Sequence, residues 1–179
     1  VAIEIEKKYR LTGEQKVTVI ASLREFEAEF FAEDFEENTI YTGGILTEKR
    51  AILRVRKTQS GTILTFKQRI QNEFDIKQQI EHETEISNAE ELTKIIESLG
   101  FEKKLVYEKR RKIWHFRQVE IVLDELPFGE FMEIEGSISA IAEAEMILGI
   151  EDFQVEHASY PSLTWQFGKK NDNFVEARF

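Results

Sequence analysis

The residues of this chain best suited to chemistry come in same-sign pairs two positions apart. Glu4 and Glu6 lead to Lys8, Arg54 precedes Arg56, Glu81, Glu83 and Glu85 alternate, Lys109 precedes Arg111, and Glu133 precedes Glu135. With no cysteine and no histidine pair at metal-ligand spacing, clustered carboxylates are hard oxygen donors suited to Mg²⁺ or Mn²⁺. Clustered Arg and Lys suit phosphate oxygens, Arg as a bidentate fork and Lys as a point charge. A metal–triphosphate complex supplies the missing partner of each set. Positioning such a complex and stabilising its charge are what phosphoryl or nucleotidyl transfer requires.

A spacing of two is the period of a strand, in which successive side chains point to opposite faces. Eight segments read as strands: 2–10, 38–46, 50–58, 62–70, 75–86, 102–117, 119–126 and 129–136. Their charged positions oppose apolar ones: Glu6 and Lys8 against Ile3 and Ile5, Arg54 and Arg56 against Leu53 and Val55, Lys67 against Leu64 and Phe66, and Asp124 against Ile121 and Leu123. A solvated outer face explains any one such strand. Repeated like-sign pairs are different, because their repulsion is relieved only by opposite charge from another strand. Closure of the strands with the apolar faces outward under helices would gather the charges in a lumen. Glu4, Glu6, Glu83, Glu85, Asp124, Glu133 and Glu135 would there nearly balance Lys8, Arg54, Arg56, Lys67, Lys109 and Arg111.

Three helices are predicted to pack outside. Thr12 and Gln15 form a capping box ahead of VTVIASLREF, Asn88 caps AEELTKIIESL before Gly100, and Ser137 or Ser139 caps ISAIAEAEMIL before Gly149. The Phe-and-acid run 26–38 reads equally as an edge strand, a rim loop or a dimer surface, and Glu36–Glu37 as the solvated end of an element. His82 and His115 read as lying opposite their charged neighbours, in structural or surface roles. Trp114 and Trp165 read as packing residues rather than base-stacking ones.

The chain has 179 residues, no internal linker and only two prolines, so one domain spanning 1–179 is expected. A formal net charge of −10 argues against a nucleic-acid binder working by overall attraction. No apolar run approaches the ~20 residues of a membrane span, and the VAIEIEKKYR start lacks a signal-peptide pattern. A soluble, cytoplasmic protein without membrane partners is expected.

At these residues the sequence resembles the CYTH superfamily, or triphosphate tunnel metalloenzymes, which includes class IV adenylate cyclases, thiamine triphosphatases and inorganic triphosphatases. The ExExK signature is present as Glu4-Ile5-Glu6-Lys7-Lys8. In the family's order follow LRVR at 53–56, LTFK at 64–67, EHETEI at 81–86, LGF at 99–101, YEKRRK at 107–112, VEIVLDEL at 119–126 and GEFMEIEG at 129–136. The resemblance implies an α+β fold: a closed eight-stranded antiparallel β-barrel, the triphosphate tunnel, with helices outside. It implies Glu4, Glu6, Glu133 and Glu135 as metal carboxylates for Mg²⁺ or Mn²⁺, with Asp124 and Glu83 assisting. Lys8, Arg54, Arg56, Lys67, Lys109 and Arg111 would hold phosphates, and Lys8, Arg56 and Lys67 would serve catalysis. Class IV adenylate cyclase-like conversion of ATP to cyclic AMP and pyrophosphate is the leading expectation. An inorganic triphosphatase or thiamine-triphosphatase-like hydrolase, acting on inorganic triphosphate or an organic triphosphate, comes second, and a non-catalytic nucleotide- or polyphosphate-binding module third. A homodimer fits the family. Relatives often carry a basic residue before a C-terminal Ser-Tyr pair, whereas here Ser159-Tyr160 follows Ala158, leaving His157, Lys169 or Lys170 as substitutes.

Overall fold

The computed structural model describes residues 3–70 and 77–179, with the side chains of Ile3, Glu4 and Lys77 outside the described residues. The elements run β1 (Ile3–Leu11), α1 (Gly13–Glu25), β2 (Glu29–Thr42), α2 (Gly44–Glu48), β3 (Ala51–Lys57), β4 (Thr62–Ile70) and β5 (Lys77–Ile86). They continue with α3 (Ala89–Ser98), β6 (Glu102–Phe116), β7 (Val119–Leu126), β8 (Gly129–Glu135), α4 (Ile138–Leu148), α5 (Tyr160–Phe167), β9 (Lys169–Lys170) and β10 (Val175–Ala177). Eight strands form a ring in the order β2-β3-β4-β5-β1-β8-β7-β6, which pairing of β2 with β6 closes. Every pairing within the ring is antiparallel. The fold is α+β, as the charge pattern and the family resemblance require. No helix among the described residues is long and apolar enough to cross a membrane.

Parity decides what goes inside. The outward faces of β1, β6, β7 and β8 contribute Tyr9, Leu11, Trp114, Ile121, Met132 and Ile134 to an apolar core with Val19 and Leu23 of α1 and Ile141 and Leu148 of α4. Tyr41 and Val55 pack similarly with Ile96 of α3. The three expected caps form: Thr12 and Gln15 make both capping-box bonds, Asn88 accepts from Glu91 N–H, and Ser137 accepts from Ala140 N–H. Gly149 ends α4 in the left-handed conformation at φ 65°, where a Cβ would be strained.

The second strand starts nine residues earlier than the sequence pattern indicates and ends at Thr42, because a Gly43-Gly44 turn with φ of 115° and 47° leads into α2. The run 26–38 is therefore mostly strand. Its Phe-and-acid pattern lacks clean alternation because β2 meets β3 only from Glu37 onward, so its first half is held on one edge by β6. A further helix, α5, begins at the Ser159 cap with Pro161 in its first turn. Unlike α1, α3 and α4 it packs on inward-facing residues: Tyr160 and Leu163 join Ile40, Leu105, Tyr107, Leu126 and Phe131, with Val175 and Ala177 of β10. One end of the ring is thus filled by an apolar cluster, and the charged residues occupy the rest.

Gly168 fixes the step from α5 into β9. A Cβ there would stand 2.5 Å from Thr164 O, 2.7 Å from Val175 Cγ1 and 2.8 Å from Glu176 O. Two of these neighbours are backbone, so Gly168→Ala should destabilise the fold by about 1–3 kcal/mol through overpacking. Urea denaturation would measure this, and an unchanged midpoint would contradict the packing described.

Candidate functional site

Inside the ring lies a cavity of about 760 Å³. β1 contributes Glu6 and Lys8, β3 Arg54 and Arg56, β4 Lys67 and Arg69, β5 Glu81 and Glu83, β6 Lys109 and Arg111, and β8 Glu133 and Glu135. Of the residues expected in the lumen whose side chains are described, all line the cavity except Asp124, which lies directly behind Arg111 with its side chain fully enclosed, and Glu85, which is exposed toward the end of β5 and does not reach it; His157, Lys169 and Lys170 are exposed and do not line it either. Glu4 pairs through its backbone with Gln79 on β5, and its side chain lies outside the described residues. Arg111, not Arg110, points inward, as the parity with Lys109 demands; Arg110 reaches outward to Glu125.

The charges are organised as chains of alternating sign. Lys8 Nζ is 3.2 Å from Glu133, whose second oxygen is 2.8 Å from Arg111 Nη2. Arg111 forks onto Asp124 at 2.8 and 2.6 Å, and Lys109 lies 3.5 Å from Asp124 and 3.2 Å from Glu36. Glu36 in turn lies 3.3 Å from Arg56 Nε. A second set joins Arg54 to Glu83 at 3.0 Å and Glu81 at 3.3 Å, and Glu81 to Lys67 at 2.6 Å. Arg54 is 7 % exposed, and its Nε is buried with no hydrogen-bond partner among the described residues. A buried N–H without an acceptor is costly, which makes it a ready donor for an incoming oxygen.

Several contributors escape the sequence reading. Glu36 is 3 % exposed and central, not the solvated end of an element. Burial alone would raise its pKa, but Lys109, Arg111, Arg56 and a hydrogen bond from Asn38 outweigh that and hold it well below the usual carboxylate range. Glu120 also faces the cavity. It stands opposite Glu135, which stands opposite Glu6, so three carboxylates form one row across β7, β8 and β1. His115 continues the row on β6 with Nε2 3.6 Å from Glu120. This corrects the expected placement of His115, whose odd number matches Lys109 and Arg111. Cross-strand neighbours of this kind lie about 5 Å apart at Cβ, so the row presents hard oxygen donors of one sign together. Among the described residues no three Asp, Glu or His side chains already converge as a metal cage. The donor chemistry fits a hard divalent ion.

Residues 2–158 match the CYTH domain. This chain belongs to the CYTH domain family. It is 29% identical over 151 residues to a Methanocaldococcus jannaschii protein provisionally named an adenylate cyclase, covering 82% of this chain and 83% of that one. A solved protein of Pyrococcus horikoshii OT3 superposes with a TM-score of 0.76 at 25% identity, over 88% of this chain and 96% of that one. A Hippeastrum protein, described as a provisional adenylyl cyclase with a dominant triphosphatase activity, has a TM-score of 0.65 at 17% identity, over 94% and 98% of the two chains.

Within the CYTH ring Lys109 is, like Arg56, a cation whose charge its surroundings disfavour. Burial and the adjacent Arg111 push its pKa down to about 8, against the pull of Asp124 and Glu36. The folded value lies below that of the unfolded chain, near 10.4. A protonated Lys109 therefore opposes folding below pH 8, and stability should gain as pH rises from about 8 to about 10. NMR of ¹³C-labelled lysines should show one resonance titrating near pH 8 that disappears in Lys109→Met. All lysines titrating above pH 10 would contradict this electrostatic picture.

Proposed function

We propose that this CYTH protein is a divalent-cation-dependent enzyme that binds the triphosphate group of its substrate in the ring cavity and hydrolyses it. The observation that carries this reading is the buried, cavity-lining Arg54 with an orphaned Nε, set among further inward-facing arginines and lysines. A polyanion is the ligand such a wall accepts with least desolvation penalty, because it meets several cations at once. Lys8, Arg54, Arg56, Lys67, Lys109 and Arg111 would hold the phosphates. Glu6, Glu133 and Glu135, with Glu4 by its place in the ExExK motif and Glu120 by its place in the row, would hold Mg²⁺ or Mn²⁺. The bound cation would supply charge neutralisation at the phosphate oxygens. Asp124 and Glu83 act through the arginines they accept from: both oxygens of Asp124 are taken by Arg111.

In hydrolysis, water attacks the terminal phosphorus, the bond to the bridging oxygen breaks, and the leaving oxygen carries its charge into the basic wall. The inward position of Lys8, Arg56 and Lys67 suits them to stabilise that charge. The character of the lining favours this reaction over cyclisation. Its apolar groups are Ile52, Val122, Pro161 and the rings of Tyr107 and Tyr160, both already packed into the core, so little surface is offered to an adenine. The triphosphatase activity described for the Hippeastrum protein is in keeping with this. A second reading, attack of the ATP 3′-hydroxyl on the α-phosphorus with loss of pyrophosphate, is favoured by the name of the M. jannaschii relative. Cytoplasmic placement, where Mg²⁺ and triphosphates are available, belongs to the same proposal.

Incubation with Mg²⁺ or Mn²⁺ and tripolyphosphate should yield orthophosphate and pyrophosphate by ³¹P NMR. Cyclic AMP and pyrophosphate from ATP would move the assignment to the second reading, and intact substrates under all conditions would sink both. Glu135→Gln should lower metal-dependent turnover by about 100-fold, the scale of losing a ligand or its support. Arg56→Ala should lower kcat/KM by about 100-fold, and an unchanged value would remove its phosphate contact.

A further inference from the structure

One buried aromatic residue beside the phosphate wall has no role in the reading above. Tyr160 is 6 % exposed and opens α5, between the Ser159 cap and Pro161. Its ring belongs to the apolar cluster that fills one end of the CYTH ring, edge-on to Phe131 at 5.4 Å between centroids and tilted against Tyr107 at 6.3 Å. Packing alone would be served by phenylalanine. The hydroxyl instead donates to Asp124 Oδ2 at 2.8 Å, the same oxygen that Arg111 Nη2 reaches at 2.6 Å.

The same ring also lies against cations. Lys8 Nζ stands 3.8 Å from its centroid and Lys109 Nζ 5.3 Å, within cation–π reach. Lys8 donates as well to the carbonyl of Ala158, in the segment that leads into α5, at 3.3 Å. Burial and the nearby Asp124 and Glu133 carboxylates hold the phenol protonated, so it acts as a donor. Without that hydroxyl, Asp124 Oδ2 keeps Arg111 and the distant Lys109 at 3.5 Å, and the carboxylate loses one of the contacts that fix its plane. Arg111 reads its own orientation from that plane through a two-bond fork.

We infer that Tyr160 is a positioning residue of the triphosphate site: through Asp124, and from beneath Lys8, it holds Arg111 and Lys8 aimed into the cavity. Docking of α5 thereby becomes part of the site, whose wall also includes Ser159, Pro161 and Ser162. The inference rests on the phosphate reading proposed above.

Steady-state kinetics with tripolyphosphate and Mg²⁺, together with calorimetric binding of tripolyphosphate, test it on Tyr160→Phe, Tyr160→Leu, Asp124→Asn and the Tyr160→Phe/Asp124→Asn double variant. Tyr160→Phe, which keeps the ring, should raise KM by about 10-fold with kcat changed by less than about twofold. Tyr160→Leu also removes the surface beneath Lys8 and should raise KM further, by about 50-fold. Because Tyr160 acts through Asp124, the double variant should be no worse than Asp124→Asn alone. A Tyr160→Phe protein with unchanged KM, whatever its thermal stability, would overturn the inference, as would additive effects in the double variant. Should Tyr160→Leu fail to fold, the Phe variant decides alone. A wild-type protein that neither binds nor turns over tripolyphosphate would overturn the phosphate reading and this inference together; an active wild type with an unmoved Phe variant overturns the inference only.

Discussion

Burying many charges in one enclosed space is the constraint on which this molecule is built. Each ion taken out of water costs several kcal/mol, and the cost is offset only where opposite charges meet it in good geometry. The CYTH ring meets that demand by interleaving. Glu133 stands between Lys8 and Arg111, Asp124 between Arg111 and Lys109, and Glu36 between Lys109 and Arg56. Since these partners come from different strands, the neutralisation exists only when the ring is closed. Folding and site assembly are therefore one event, and the pairing of β2 with β6 is the seam on which both depend.

Closure alone would leave the outer faces exposed and one end of the ring open. The helices resolve this in two ways. α1 and α4 cover the apolar outer faces of β1, β6, β7 and β8, and α3 covers those of β2 and β3. α5 sits on residues that point inward and completes an apolar plug with Phe131, Leu126 and Ile40. The charged part of the cavity thus rests on an apolar base, beside which interactions between charges are stronger than in water. An arginine fork held from behind by a fully enclosed Asp124 cannot relax as a surface arginine would, and this preorganisation is what binding and electrostatic stabilisation of a polyanion draw on.

Much of this was legible in the sequence because strand parity is strict. Arg54 and Arg56, Lys109 and Arg111, and Glu133 and Glu135 each fell on one face, and so did the apolar residues that lie under the helices. Family order then placed the strands in a ring. Less legible was whatever depended on long-range pairing. Glu36 sits in a run of Phe and acid whose alternation is spoiled by half-paired edges, so its burial could be known only once β6 and β3 were seen to flank it. Glu120 reads as one more acid in a rich sequence until register sets it opposite Glu135. Parity did contain a usable signal for His115, which shares its odd numbering with Lys109 and Arg111. For α5 there was a local signal too, since Ser159 followed by Pro161 is a helix start. Its inward placement was not local, because it depends on Tyr160 meeting an aspartate from β7.

Whether one cavity of mixed charge receives a cation-bridged polyphosphate is tested most directly by diffraction from crystals grown with tripolyphosphate and Mn²⁺. An anomalous Mn²⁺ peak beside Glu6, Glu133 and Glu135 is expected, with phosphate density reaching Arg54 Nε and Arg111. Phosphate and Mn²⁺ bound only on the outer surface, with the cavity holding neither, would contradict that placement.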